Sequence, residues 1–362
     1  MPARRFLAVF SWAIGLVALC ALGGEPEHAS PLSPEEWIAV ENCLAIVRQC
    51  QVADGMIRIK GVGDPVWTVP YVSNFAAMAL LAAHDLRSAP DDVRRVERWL
   101  LWYAANQEAD GTICDRTGTL ASYRSNGRRD STDSYAATFL MAVRRYQQAI
   151  RGRPAPPVVR AARLALSAVA DVTQSDGLTI AKPDYRMKYL MDNVEVYGGL
   201  TEGAALFQAV GDAKEAANAR RMAAQVAAGL RGFWSPRDAC FAFALDMKGR
   251  YSAGLEKPYP QGLAQLYALA HVEPRQTELW QTVCRRFKPG DEGTPVERWL
   301  MAANRCASPP QRQQLRQATL AAMLQFTAAT VYVERPALAI LALIDRQARF
   351  PDLPAPGRAQ SR

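Results

Sequence analysis

Apolar residues recur at helical spacing along almost the whole chain, in two alternating styles. Asp92-Val93-Arg94-Arg95-Val96-Glu97-Arg98-Trp99-Leu100 keeps its apolar side chains on one face and its charges on the other, as a helix with one wet side does. Phe75-Ala76-Ala77-Met78-Ala79-Leu80-Leu81 and Ala337-Leu338-Ala339-Ile340-Leu341-Ala342-Leu343 are apolar or small all round. A helix without a polar face belongs inside. In chain order the pattern predicts helix pairs over 34–51 and 71–86, 90–106 and 134–150, 157–173 and 194–210, 212–233 and 262–272, 275–287 and 295–306, and 309–329 and 335–349. The first opens with Ser33 as N-cap and Pro34 in the first turn. Six amphipathic outer helices alternating with six apolar inner ones predict an all-α (α/α)6 barrel, a toroid, as one domain over 33–350. The Pro- and Gly-bearing stretch 351–362 is expected to be a loose tail.

A repeat supports the same architecture. Gln51-Val52-Ala53-Asp54-Gly55-Met56-Ile57 returns as Gln107-Glu108-Ala109-Asp110-Gly111-Thr112-Ile113 and as Gln174-Ser175-Asp176-Gly177-Leu178-Thr179-Ile180, with weaker echoes at Asp238 and Asp291. An interval of roughly 50 to 65 residues marks a repeat architecture. The unit is outer helix, Asp-Gly turn, polar loop, inner helix. The turn aspartates are therefore assigned to structure rather than chemistry.

Composition adds an address more than a function. Arg4 and Arg5 precede an apolar run from Phe6 to Leu22, and Ala21-Leu22-Gly23 supplies the small residues of a cleavage site, so residues 1–23 are expected to be a secretory signal peptide. An uncleaved membrane anchor is the alternative; no later segment is apolar for long enough to span a bilayer. The expected destination is the periplasm or the medium. Beyond Cys20 six cysteines remain, an even count that an oxidising compartment permits to form disulfides, with Cys114 or Cys240 in the loops the expected participants. Cys43 and Cys50, about 10 Å apart along one helix, cannot pair with each other. With three scattered histidines and no Cys-x-x-Cys, neither a metal site nor a cofactor is expected. The net charge of +8 lies mostly on arginines of outer-helix faces, without a basic stripe interleaved with aromatics, so a nucleic-acid partner is not expected. The chain is expected to act as a monomer.

In an (α/α)6 ring every inner helix starts from one rim, so the polar loops converge on a funnel. Loop one carries Trp67, Tyr71 and Asn74; loop two Asp115, Asp130 and Asp133; loop three Tyr185, Tyr189, Asp192, Asn193 and Glu195; loop four Tyr259; loop six Tyr332 and Glu334. Rings stack on the apolar face of a sugar, while carboxylates bond its hydroxyls and move protons, and paired carboxyls flanking the scissile bond hydrolyse glycosides. Asp133 and Asp192 are the expected proton-handling pair, with Asp130 and Glu195 as supporting carboxylates. Trp67, Tyr71, Asn74, Tyr185, Tyr189, Asn193 and Tyr259 are the expected glycan contacts. The competing assignment for Asp130 and Asp133 is helix capping.

The repeats and these loops together resemble the six-hairpin glycosidase superfamily over nearly all of the chain beyond the leader. Arg129-Asp130-Ser131-Thr132-Asp133-Ser134-Tyr135-Ala136 looks like an acidic helix start of its hydrolases. Tyr189-Leu190-Met191-Asp192-Asn193-Val194-Glu195 is similar to the Asp-Asn helix start of the unsaturated glucuronyl hydrolases, which implies an acid/base role for Asp192. That family's His-containing motif is missing. The cellulases of this fold carry a glutamate at the first inner helix, where this chain has Val72-Ser73-Asn74-Phe75. The resemblance implies a glycoside hydrolase acting on an oligo- or polysaccharide. Two other functions fit the pattern: a non-catalytic glycan-binding protein of polysaccharide export, and a prenyl-cyclase-like toroid, whose adjacent aspartates Asp130-Ser131-Thr132-Asp133 lacks.

Overall fold

The computed structural model describes residues 32–344 apart from Asp64 and residues 273–276. The expected leader over 1–23, the tail over 351–362 and the end of the last helix lie outside the described residues. The outer helices are α1 (Pro34–Cys50), α3 (Pro90–Asn106), α5 (Pro156–Val172), α7 (Ala213–Leu230), α9 (Thr277–Arg286) and α11 (Pro309–Gln325). The inner helices are α2 (Pro70–Leu86), α4 (Asp133–Ile150), α6 (Leu190–Ala209), α8 (Leu263–Tyr267), α10 (Val296–Cys306) and α12 (Glu334–Ile344). α8 continues on both sides into π-helical turns, Pro258–Gly262 and Ala268–Val272.

Contacts between consecutive inner helices close the ring: α2 packs on α4, α4 on α6, α6 on α8, α8 on α10, α10 on α12, and α12 returns to α2. Burial follows the two sequence styles. Every residue from Ser73 to Ala83 of α2 and from Pro336 to Ile344 of α12 is buried, whereas α3 buries Asp92, Val96, Trp99, Leu100, Trp102 and Tyr103 and leaves its arginines wet. Each large side chain so buried stabilises the ring by about 1.5–3 kcal/mol. α4 and α6 approach most tightly where α6 carries Gly199, since a Cβ there would stand 2.5 Å from the carbonyl oxygen of Ala137. α1 starts as expected, with Ser33 and Glu36 forming a reciprocal capping box.

The three repeated turns have one geometry. Asp54, Asp110 and Asp176 each accept the backbone N–H two residues on, and Gly55, Gly111 and Gly177 follow with φ of 104°, 82° and 84°. Each glycine is pressed against a carbonyl of the next outer helix: Arg98 of α3, Leu164 of α5 and Gln225 of α7. Gln51 and Gln107 donate to carbonyls one turn earlier on the same helices, Arg95 and Ala161. The repeat is therefore the joint between successive outer helices, which is why its spacing is that of a hairpin. Of the two echoes, Asp291 lies in a comparable turn whose Gly293 abuts Tyr259, while Asp238 sits in a short hairpin.

The rim loops carry short strands: β1 (Val66–Thr68), β2 (Arg116–Gly118) and β3 (Tyr123–Ser125) form an antiparallel sheet joining loops one and two. β4 (Lys188–Tyr189), β7 (Ala244–Leu245) and β8 (Tyr251–Ser252) form a second, and β5 (Trp234–Ser235) pairs with β6 (Cys240–Phe241). Long loops held against a protein surface must satisfy their backbone groups, and these pair with one another. The disulfides that the cysteine count permitted are not formed among the described residues: the six cysteines are free thiols, and Cys43, Cys50, Cys114 and Cys240 are buried. No helix of the described residues is long and apolar enough to cross a membrane.

The joint is testable. A Cβ on Gly111 would lie 2.1 Å from the Leu164 carbonyl oxygen, whereas one on Gly211, at a similar φ of 77°, meets nothing within 4 Å. Gly211→Ala should cost the ~1–2 kcal/mol of a left-handed alanine, and Gly111→Ala at least ~2 kcal/mol more, read from urea unfolding midpoints; equal losses would refute the joint.

Candidate active site

A cavity of about 630 Å³ opens on the rim where the inner helices begin, and all six contribute to it: Tyr71 and Val72 from α2, Ser134 and Tyr135 from α4, Asp192 from α6, Tyr267 from α8, Arg298 from α10 and Glu334 from α12. The loops add Asp130, Tyr259, Asp291 and Glu292. Helix N-termini carry positive partial charge, so the rim tolerates this density of carboxylates.

The close contact of α4 with α6 crowds three acids together. Asp133, at the first position of α4, is fully buried; it accepts the Ser134 N–H (2.8 Å) and the Thr179 hydroxyl (2.7 Å). Burial pushes its carboxyl up to about 7, against those two hydrogen bonds and with repulsion from Glu195. Asp192, in the first turn of α6, faces the cavity. Burial, followed by the charges of Asp133, Glu195 and Asp130, lifts its carboxyl well above the usual range. Glu195, one turn deeper, is raised by burial too, opposed by the Tyr71 hydroxyl and the charge of Arg298. Both the Tyr71 hydroxyl (2.7 Å) and the Tyr267 hydroxyl (3.0 Å) donate to its Oε1.

Opposite these acids stands a cation. Arg298 is buried, with its guanidinium 4.6 Å from the centre of the Tyr267 ring and 5.7 Å from that of Phe75. It lies 3.5 Å from Glu334. Behind it, Glu297 is fully buried and ion-paired with Arg335. Around the ring α6 and α12 are three steps apart in either direction, so Asp192 and Glu334 start diametrically opposed helices.

The expected site residues divide into three groups. Asp130, Asp192, Tyr71 and Tyr259 line the cavity. Glu195 reaches it through the two tyrosine hydroxyls, and Tyr189, outside the cavity wall, stands close enough to Asp192 to feel its charge, with Tyr185 stacked alongside. Trp67 is exposed on β1 and is not part of the cavity wall. Asn74 and Asn193 were expected to touch glycan, and the structure corrects both. Asn74 is fully buried, donating to Thr138 and accepting from the Trp99 indole. Asn193 is equally buried and binds the backbone of Thr179 from both sides, clamping the third repeat turn onto α6. Asp133 lies behind the wall rather than on it. It is no N-cap either, since Thr132 holds that position without a side-chain cap bond. Among the described residues no cluster of three His, Cys, Asp or Glu side chains is placed to hold a metal ion.

Arg298, Tyr267, Asp291 and Glu292 were not expected at the site. One cue in the sequence is the pair Glu297-Arg298 directly ahead of the apolar run Trp299-Leu300-Met301-Ala302-Ala303.

No family model matches the chain, and no curated protein matches it by sequence. Solved structures do match in fold. A rhamnosidase from Klebsiella oxytoca, with rhamnose bound, superposes with a TM-score of 0.57 at 12% identity over 86% of this chain and 64% of its own. This chain thus spans less than two thirds of that protein's length. A GH63 mannosylglycerate hydrolase from Thermus thermophilus gives 0.58 at 10% identity, over 84% of this chain and 99% of its own. An α-amylase from Clostridium perfringens gives 0.55 at 8% identity, over 84% and 96%. The fold is an (α/α)6 toroid, shared with these solved structures.

The buried acids make a prediction for stability. Asp133 has a folded value of about 7 against an ordinary 3.8, so it favours the folded state fully below pH ~4 and loses that contribution as pH rises through 7. Its slope reaches at most ~1.4 kcal/mol per pH unit. Between those limits the wild-type melting temperature should fall more steeply with rising pH than that of Asp133→Asn; parallel curves would show that Asp133 does not titrate there.

Proposed function

We propose that the protein is an exported glycoside hydrolase in which Asp192 is the general acid and Glu334 the general base. The observation that carries this reading is the pairing of unlike carboxyls across one cavity. Asp192 is disposed to keep its proton by burial and by the neighbouring acids, while Glu334, on the opposed helix, lies beside the Arg298 guanidinium. Asp133, first expected as the second catalytic carboxyl, becomes instead a buried acid behind the wall whose ionised form raises the Asp192 carboxyl.

In this mechanism Asp192 donates its proton to the glycosidic oxygen as the bond from that oxygen to the anomeric carbon breaks. Positive charge develops on the sugar ring. Glu334 takes a proton from a water that attacks the anomeric carbon from the opposite face, and the new hydroxyl appears with inverted configuration. Tyr71, Tyr135 and Tyr267 line the cavity and offer ring faces to the sugar, their hydroxyls being engaged by Glu195 and Asp115. Both cavity arginines are already engaged, Arg298 with Glu334 and Arg335 with Glu297. Asp130, Asp291 and Glu292 add negative charge at the wall. A uronate carboxylate would find repulsion there, so the favoured substrate is a neutral or amine-bearing glycan.

A panel of neutral, uronate-containing and amino-sugar oligosaccharides tests the reading. Turnover should occur on the neutral or amino-sugar members, with inversion seen by proton NMR of the first product. Asp192→Asn and Glu334→Gln should each lower kcat by about 10²–10⁴-fold with folding intact. A glycosyl fluoride, whose leaving group needs little protonation, should restore much of the rate to Asp192→Asn and little to Glu334→Gln. The wild-type rate should fall as pH rises through the elevated Asp192 titration. Binding without turnover of any panel member would support a glycan-binding protein instead, and undiminished turnover in Asp192→Asn would refute the assignment.

A further inference from the structure

The proposed acid stands beside an aromatic ledge that the hydrolytic step does not use. Tyr259 is on the cavity wall and is 56% exposed. Tyr189 caps the start of α6, three residues before Asp192, and its ring stacks on that of Tyr185 with centroids 6.3 Å apart and planes 25° apart. Their hydroxyls lie 2.8 Å from each other, yet Tyr185 is 47% exposed. Asp192 is near enough to Tyr189 and to Tyr259 that its charge resists ionisation of both hydroxyls, although burial is the larger cause in each.

The backbone that carries these rings is held in place. Tyr259 is wedged against Gly293, where an added Cβ would come within 2.4 Å of the tyrosine Cβ. Tyr185 is tied by its N–H to the Lys182 carbonyl (3.0 Å) and by its own carbonyl to the Met187 N–H (2.9 Å). Rings that served only as packing would be covered. Ordered, half-exposed rings running outward from a cavity suit a ligand that continues beyond it, and planar apolar faces with hydroxyl edges are what sugar rings stack upon.

The chemistry fixes which part of the ligand this is. A general acid must lie within hydrogen-bond reach of the glycosidic oxygen it protonates, so the departing group extends past the acid's side of the cavity. Asp192 and the ledge share the α6 side, and Glu334 is across the ring. We propose that Tyr185, Tyr189 and Tyr259 bind the leaving-group sugar, so that the substrate is a glycan chain continuing toward its reducing end rather than a glycoside of a small alcohol. The assignment of side rests on Asp192 being the acid; the existence of the ledge site does not.

Calorimetric titration of Asp192→Asn protein with cello-, malto- and chito-oligosaccharides of two to six sugars tests this. In the series that binds, affinity should rise with length. Adding Tyr185→Ala should weaken the longest member about tenfold, equivalent to ~1.4 kcal/mol, and the disaccharide by less than twofold. Tyr185→Phe should retain the gain, since it keeps the ring. Tyr332→Ala, an equally exposed ring beside α12, should leave the length dependence unchanged. Saturation-transfer NMR should place the reducing-end sugar against the ledge in Asp192→Asn and lose that contact when Tyr185→Ala is added. Absence of binding in all three series, an affinity indifferent to length, or an equal loss at every length would overturn the ledge. Contact with the non-reducing end would overturn its side. Turnover that persists in Asp192→Asn would instead identify a failure of the acid assignment.

Discussion

Three carboxyl groups, those of Asp133, Asp192 and Glu195, share a desolvated space between α4 and α6, and they cannot all be ionised together. Like charges in a poorly solvated site repel strongly, so the cluster must hold protons. The packing creates this condition. Gly199 lets α6 approach the backbone of α4, and Thr179 ties the starts of both helices together through Asp133 and Asn193. Asp133 and Glu195 are covered, whereas Asp192 faces the cavity. The constraint thus leaves an acidic proton where a ligand could take it.

The rest of the ring serves this arrangement. The repeated Asp-Gly turns lock successive outer helices together and leave the loops that follow them on one rim. Third in that series is the turn bearing Thr179, so one segment is both scaffold joint and support for the acids. Across the cavity Arg298 is held by the faces of Tyr267 and Phe75 and by Glu334. Its charge also opposes the upward shift of Glu195, which couples the two walls electrostatically.

Much of the fold was legible because helical hairpins write themselves locally. Apolar faces fixed the inner and outer members, and the Asp-Gly repeat gave the period. The two-residue and three-residue strands of the rim were not legible, since they arise from pairing between distant loops, as where Trp67 meets Thr117. Among the residues that line the cavity, Asp192 and Tyr71 were legible because they stand at inner-helix starts. Asn74 and Asn193 occupy the same kind of position yet point into the packing, and a position within one turn of a helix start does not reveal direction. Arg298 was missed because an isolated arginine resembles the many on wet faces; only its neighbours on three other helices show that it is buried.

The central claim is that burial and the neighbouring acids hold the Asp192 carboxyl well above the ordinary carboxylate range. Carbon-detected NMR of aspartate carboxyls, with the Asp192 resonance identified by its loss in Asp192→Asn, measures this directly. The account predicts a titration midpoint well above the ordinary 3.8, moving down when Asp133 is replaced by Asn and one neighbouring charge is removed. A midpoint in the ordinary carboxylate range, unchanged by Asp133→Asn, would contradict it.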